Sequence, residues 1–159
     1  MEEKMATQPI PDGQHSITPY LGIKDAARAI DFYKAAFGAT EMFRLDAPDG
    51  RIGHAELKIG DSSLMLADPC DQAGGLTSSQ SLQGSAIGLH LYVEDVDATF
   101  AQALKAGATQ VNAVQNQFYG DRSGTLKDPF GNLWFVATHV EDVSVEEIRA
   151  RAAKMFSPQ

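Results

Sequence analysis

The chain carries the same plan twice. Leu21-Gly22-Ile23-Lys24-Asp25 has its counterpart in Leu91-Tyr92-Val93-Glu94-Asp95, Gly38-Ala39-Thr40 in Gly107-Ala108-Thr109, and Leu57-Lys58 in Leu126-Lys127, at an offset of about 70 residues throughout. An offset that keeps strand alternation, helix starts and helix stops in step marks a repeated supersecondary unit. It confines the chain to folds built from two copies of one module. A single copy would expose one face of a curved sheet, so two copies must pair, within or between chains, to enclose a cup.

Each copy reads β-α-β-β-β. In the first, residues 15–23 alternate, with Pro19, Leu21 and Ile23 on one face and Thr18, Tyr20 and Gly22 on the other. Asp25 is placed to cap a helix over 26–37, whose Ala26, Ile30, Tyr33 and Phe37 form a stripe, and Gly38 supplies the stop. Strands follow over 39–45, 52–59 and 62–67, separated by Ala47-Pro48-Asp49-Gly50 and Gly60-Asp61, both with turn chemistry. In the second copy 87–93 alternates, Asp95 caps a helix carrying Val96, Phe100, Ala103 and Leu104, and Gly107 ends it. The expected organisation is a mobile tail over 1–14, a first module over 15–69, a Gly/Ser/Gln-rich linker over 70–85 and a second module over 86–139. A C-terminal helix and tail take 140–159, with Ser144 and Glu147 as a capping box before the stripe Val145, Ile148 and Ala152. The fold class is α+β: two tandem βαβββ modules forming a curved eight-stranded cup, plus a C-terminal helix.

Charge narrows the partners. A net charge of −8 with no basic cluster excludes a phosphate-backbone partner, so no nucleic acid is expected. No apolar run approaches the ~20 residues that span a bilayer, and no basic segment precedes an apolar one at the start. A soluble cytoplasmic protein without a membrane partner is expected. Cys70 is the single cysteine, so it forms no internal disulfide, and no His stands near it in sequence to activate a thiol. Nucleophile elbow, CxxC, phosphate-loop and Rossmann motifs are all missing.

Alternation sends Tyr20, His54, Glu56, Met65, His90, Tyr92 and Phe135 to the cup side. Aromatic and apolar walls with a few polar groups suit a small organic ligand, and the competing reading is packing at a core or a dimer seam. His54 and Glu56 share one face of 52–59, opposite Ala55, Leu57 and Ile59. With His90 they are candidates for a three-ligand divalent metal site. Without metal, His54 or His90 is a candidate general base, with Glu56 orienting the ring. Farther on, Phe118 and Tyr119 are candidates for a lid or wall, while Asp121 and Arg122 either pair together or hold a ligand's polar end. Trp134 falls on the helix side.

The runs SITPYLGIKDAARAIDFYKAAFGA, PDGRIGHAELKIGDSSLMLADP, LHLYVEDVDATF, QFYGDRSGTLKDPFG and ATHVEDVS resemble the PhnB-like branch of the vicinal oxygen chelate superfamily, which holds glyoxalases, bleomycin-resistance proteins and extradiol dioxygenases. The likeness covers roughly residues 15–150. It implies a homodimer in many members, with each cup at a module interface. It also implies four metal ligands, usually His, Gln or Glu, one on the first and one on the last strand of each module. Those positions fall on Thr18, Met65, Gly88 and Phe135, and a shift by one residue reaches Pro19, Leu64, Leu66, Leu89, Trp134 and Val136. None is a donor that a divalent cation takes. The expectation is therefore a metal-free homodimer without cofactor, binding a small aromatic or amphipathic metabolite or antibiotic. The alternative is a lyase, isomerase or dioxygenase with a relocated divalent metal or a His general base, since fold does not choose among chemistries.

Overall fold

The repeat in the sequence returns as a repeat in space. The computed structural model describes residues 7–157. The first module consists of β1 (Tyr20–Gly22), α1 (Ala26–Phe37), β2 (Thr40–Asp46), β3 (Ile52–Ile59) and β4 (Ser62–Ala67). After a short α2 (Ser79–Leu82) the second module repeats the order with β5 (Gly88–Tyr92), α3 (Val96–Ala106), β6 (Thr109–Asn116), β7 (Asp121–Lys127) and β8 (Leu133–His139), and α4 (Val145–Met155) follows. The eight strands form two four-stranded mixed sheets, ordered β1-β4-β3-β2 and β5-β8-β7-β6. In each, the first strand runs parallel to the fourth, so that Tyr20 lies opposite Met65 and His90 opposite Phe135. The two expected βαβββ modules are thus present, each contributing one four-stranded sheet.

The helix starts differ between the copies. Asp95 caps α3 as expected, its carboxylate accepting from the Ala98 N–H at 3.1 Å. Asp25 does not cap α1: it sits in the left-handed region at φ 62° with no side-chain cap bond. Asp68, just past β4, takes over, accepting from the Asp25 and Ala26 N–H groups at 3.0 and 3.4 Å and from Ile52 N–H at 2.7 Å. One carboxylate thereby ties a helix start to a strand start, which a local Asp cannot reach. At the other end Gly38, at φ 67°, ends α1 by donating to the Lys34 carbonyl.

Helices α1 and α3 pack against each other and share one core with the inner faces of both sheets. Ile30, Tyr33, Leu57 and Leu66 come from the first module, and Phe100, Leu126, Trp134 and Val136 from the second. The Phe37 ring lies 4.6 Å from Trp134. Buried Asp128 pins this junction, accepting from Tyr33 Oη at 2.6 Å, Trp134 Nε1 at 2.9 Å and the Phe130 and Asn132 N–H groups at 2.9 Å. Burial, then the neighbouring Asp128, push the Tyr33 hydroxyl well above its ordinary pKa, so it stays a donor. Because the modules use their helix sides to hold each other, the opposite sheet faces stay open, and the candidate site lies there.

Two peripheral segments complete the fold, the first more structured than its linker-like composition suggests. The 70–85 linker holds α2, which Ser78 caps, and Ser78 also bridges to Gly22 beside β1. Helix α4 begins at the expected cap, with Ser144 Oγ accepting from Glu147 N–H at 3.2 Å, yet it buries no residue. Arg151 holds it to the body through the Phe118 carbonyl and the Glu141 carboxylate, both at 3.0 Å.

Candidate functional site

On β3, Ala55, Leu57 and Ile59 are buried against the helices, which leaves His54 and Glu56 on the open face. Tyr20 comes across from β1 so that its hydroxyl and His54 Nδ1 are 2.9 Å apart, the rings meeting edge to face at 5.2 Å. Met65 lies in register with both Tyr20 and Glu56. Phe43, opposite Glu56 on β2, brings a third ring to within 6.2 Å of His54. Glu56 accepts from the side-chain amide of Gln14. Gln14, expected to close a mobile tail, is folded onto this face instead; the first six residues of that tail lie outside the described ones.

The second sheet carries its own group. His90 and Tyr92 project from β5 with ring centroids 4.7 Å apart, and Phe135 stands beside His90. A Cβ on Gly88 would meet Phe135 Cε2 at 2.4 Å, so glycine is what lets that ring lie over β5. Tyr92 Oη donates to Asp121 Oδ2 at 2.8 Å, and His139 Nδ1 lies 2.8 Å from Asp121 Oδ1. The other ring nitrogen, Nε2, lies 2.8 Å from Asp142 Oδ1. These hydrogen bonds, Asp121's first, raise the pKa of His139, and the bond to Asp121 raises that of Tyr92. His139 was missed in the sequence, although Phe135, Ala137 and His139 alternate onto one face of β8.

Arg122 corrects an expectation. It neither pairs with Asp121 nor reaches the open face, but forms a two-pronged bond to Asp97 of α3 at 2.7 and 2.9 Å. Successive side chains on β7 point to opposite faces, so Asp121 and Arg122 cannot share one. The guanidinium holds Asp97 below the usual carboxylate range. Phe118 lies in the β6–β7 turn with its ring 5.2 Å from Tyr119.

The positions at which the resemblance implies metal ligands hold a hydroxyl, a thioether, a glycine and a phenyl ring at Thr18, Met65, Gly88 and Phe135. That donor set does not fit a divalent ion. The relocated set does not assemble either. His54 bonds to Tyr20, Glu56 to Gln14, and His90 packs on Tyr92 of the other sheet. Among the described residues no three His, Cys, Asp or Glu side chains converge as metal ligands.

Crevices run along the seam between the modules. One of about 210 Å³ is lined by His15, Thr18, Pro19, Leu64, Leu89 and His90, among others. A wider one of about 790 Å³ has Tyr92 and His139 on its wall beside Phe37, Leu91 and Glu94.

With this geometry in view, the likeness to known proteins is specific. Residues 13–136 match the model of the glyoxalase/bleomycin resistance protein/dioxygenase superfamily. An uncharacterized protein of Mycobacterium tuberculosis is 44% identical over 137 residues, spanning 85% of this chain and 81% of its own. The crystal structure of TioX from Micromonospora sp. ML1 is similar with a TM-score of 0.62 at 26% identity, covering 82% of this chain and all of that one. An Arabidopsis thaliana protein is similar with a TM-score of 0.63 at 28% identity, covering 77% of this chain and 98% of its own.

Proposed function

The chain belongs to the glyoxalase/bleomycin resistance protein/dioxygenase superfamily, and from that premise we propose that it binds a small aromatic or amphipathic metabolite or antibiotic, without a metal, on the open faces of its two sheets. The observation that carries this reading is the exchange of donors for rings. Where the family's metal ligands would stand, this chain has Thr18, Met65, Gly88 and Phe135, and around them Tyr20, His54, His90 and Tyr92 offer flat surfaces with few polar atoms. Such walls suit an organic ring whose polar end meets His54, Glu56 or His90. Within the superfamily we assign the chain to the PhnB-like branch on its sequence runs alone.

The proposed partner is a second copy of the chain. Each protomer leaves two half-cups uncovered, with Phe43 48% and Tyr92 61% exposed, and large open apolar patches of this kind mark interaction surfaces. No helix among the described residues is long and apolar enough to cross a membrane; a cytoplasmic location is part of the proposal.

A thermal-shift screen with aromatic and amphipathic compounds tests the reading. Some members should raise the unfolding temperature of the native chain, and His54→Ala or His90→Ala should abolish that response. Metal content by inductively coupled plasma mass spectrometry should be substoichiometric after purification without chelator. Stoichiometric metal that disappears in His54→Ala would overturn the proposal in favour of a metal-dependent enzyme.

A further inference from the structure

The carboxylate on the first open face already has an occupant, and it comes from this chain. Glu56 projects from β3 with Phe43 directly opposite on β2 and Met65 directly opposite on β4. His54, two residues away on the same face, lies 6.2 Å from the Phe43 ring, and Tyr20 lies 5.2 Å from His54. Inside this collar Glu56 joins no ion pair among the described residues. Its partner is a neutral donor, the side-chain amide of Gln14.

Gln14 reaches Glu56 on a lightly held segment. Residues 7–19 form neither helix nor strand, and none of their side chains is buried. Pro19 fixes the downstream end, its carbonyl accepting from Met65 N–H at 2.9 Å. Upstream, Gln14 N–H closes a turn on the Pro11 carbonyl at 3.0 Å, and Thr18 Oγ1 donates to Gln14 Oε1 at 3.5 Å. Gly13, in the left-handed region at φ 79°, passes so near Lys58 that a Cβ there would lie 3.6 Å from Nζ. Glu56 and Lys58 are successive open-face residues of β3, so the segment crosses that face. Lifting it would uncover none of the core.

A carboxylate only accepts, so whatever covers Glu56 must bring a donor. An N–H given to a carboxylate makes a charge-assisted bond, stronger than a neutral pair. An acceptor-only end would cover Glu56 and leave it without a partner, at a desolvation cost. We propose that Glu56 anchors aromatic ligands of the first open face through a carboxamide or amine N–H, and that Gln14 is an autoinhibitory plug which such a ligand displaces. The proposal rests on the reading of the open faces as a ligand site. The Gln14 side chain, two methylenes ending in a carboxamide, is the template for the ligand's polar arm. The ligand's ring then takes the collar of Phe43, Met65 and Tyr20. While Gln14 holds Glu56, only the fraction of molecules with the segment lifted can bind, and apparent affinity falls by that fraction.

Two probes test this in the full ¹⁵N-labelled chain: 3-phenylpropanamide, which carries the Gln14 arm on a phenyl ring, and 3-phenylpropanoate, which replaces the amide by a carboxylate. The readout is the Gln14 side-chain amide in ¹H–¹⁵N NMR, assigned by its disappearance in Gln14→Ala. The amide probe should move this resonance to the position it has in Glu56→Ala, and should bind severalfold more tightly than the carboxylate. Gln14→Ala should tighten binding of the amide probe severalfold. Equal affinity for the two probes, an affinity that Gln14→Ala leaves unchanged, or no binding of either probe to either chain would overturn the plug and its anchor. That failure leaves thermal-shift responses that depend on His90 standing, whereas a screen with no response at all removes the ligand site itself.

Discussion

At the scale of single residues, two carboxylates carry more than their neighbours. Asp128 accepts from the Tyr33 hydroxyl and the Trp134 indole inside the core shared by the modules. Asp128→Ala should strand both donors and lower stability by about 3 kcal/mol or more, read as a fall in the urea midpoint. The run Asp128–Asn132 looks in sequence like a plain turn, since the Tyr33 that meets it lies in the other module. Asp121 sets the second prediction through His139. Its folded pKa is raised above the ordinary 6.5, by Asp121 first and Asp142 second. A raised histidine contributes stability in full below its unfolded pKa and loses it as pH climbs through the higher folded value. The gap in unfolding temperature between the native chain and His139→Gln should therefore be widest below about pH 6 and narrow toward alkaline pH. A gap that widens with pH would contradict the assigned partners.

At the scale of elements, local signals served where the partner was local. Asp95 and Ser144 cap the helices they precede, because a cap bond spans only three residues. Asp25 looked the same and failed, because Asp68 arrives from β4 to fill the role. Alternation separated the exposed His54, Glu56, His90, Tyr92 and Phe135 from the buried Trp134 of the helix side, but passed over His139 on β8. It could not show that Gly88 makes room for Phe135. There the obstructing atom is the end of a side chain that can rotate. Gly88→Ala should thus leave the fold intact at a cost of about 1–2 kcal/mol, yet move the Phe135 ring and weaken the thermal-shift response to aromatic compounds. Loss of folding, or an unaltered ligand response, would count against Phe135 as a wall of the site.

At the scale of the whole molecule, the arrangement of helices decides what is left open. Packing α1 against α3 consumes the inner face of each sheet and leaves Phe43, Leu45 and Tyr92 uncovered on the outer ones. Sedimentation equilibrium should find a dimer at micromolar concentration, and Phe43→Glu should move it toward monomer without unfolding it. A monomeric native chain would leave each half-cup facing water and remove the second copy from the site. The sequence by itself determined the repeat, the order of elements, most of their ends and which side chains share a face, because period, caps and turns act over a few neighbouring residues. Only the tertiary structure decided which carboxylate meets which partner: Asp121 with His139, Asp128 with Tyr33, Asp97 with Arg122. Those pairings depend on strand register and on burial, and both are set by contacts between residues far apart in the chain.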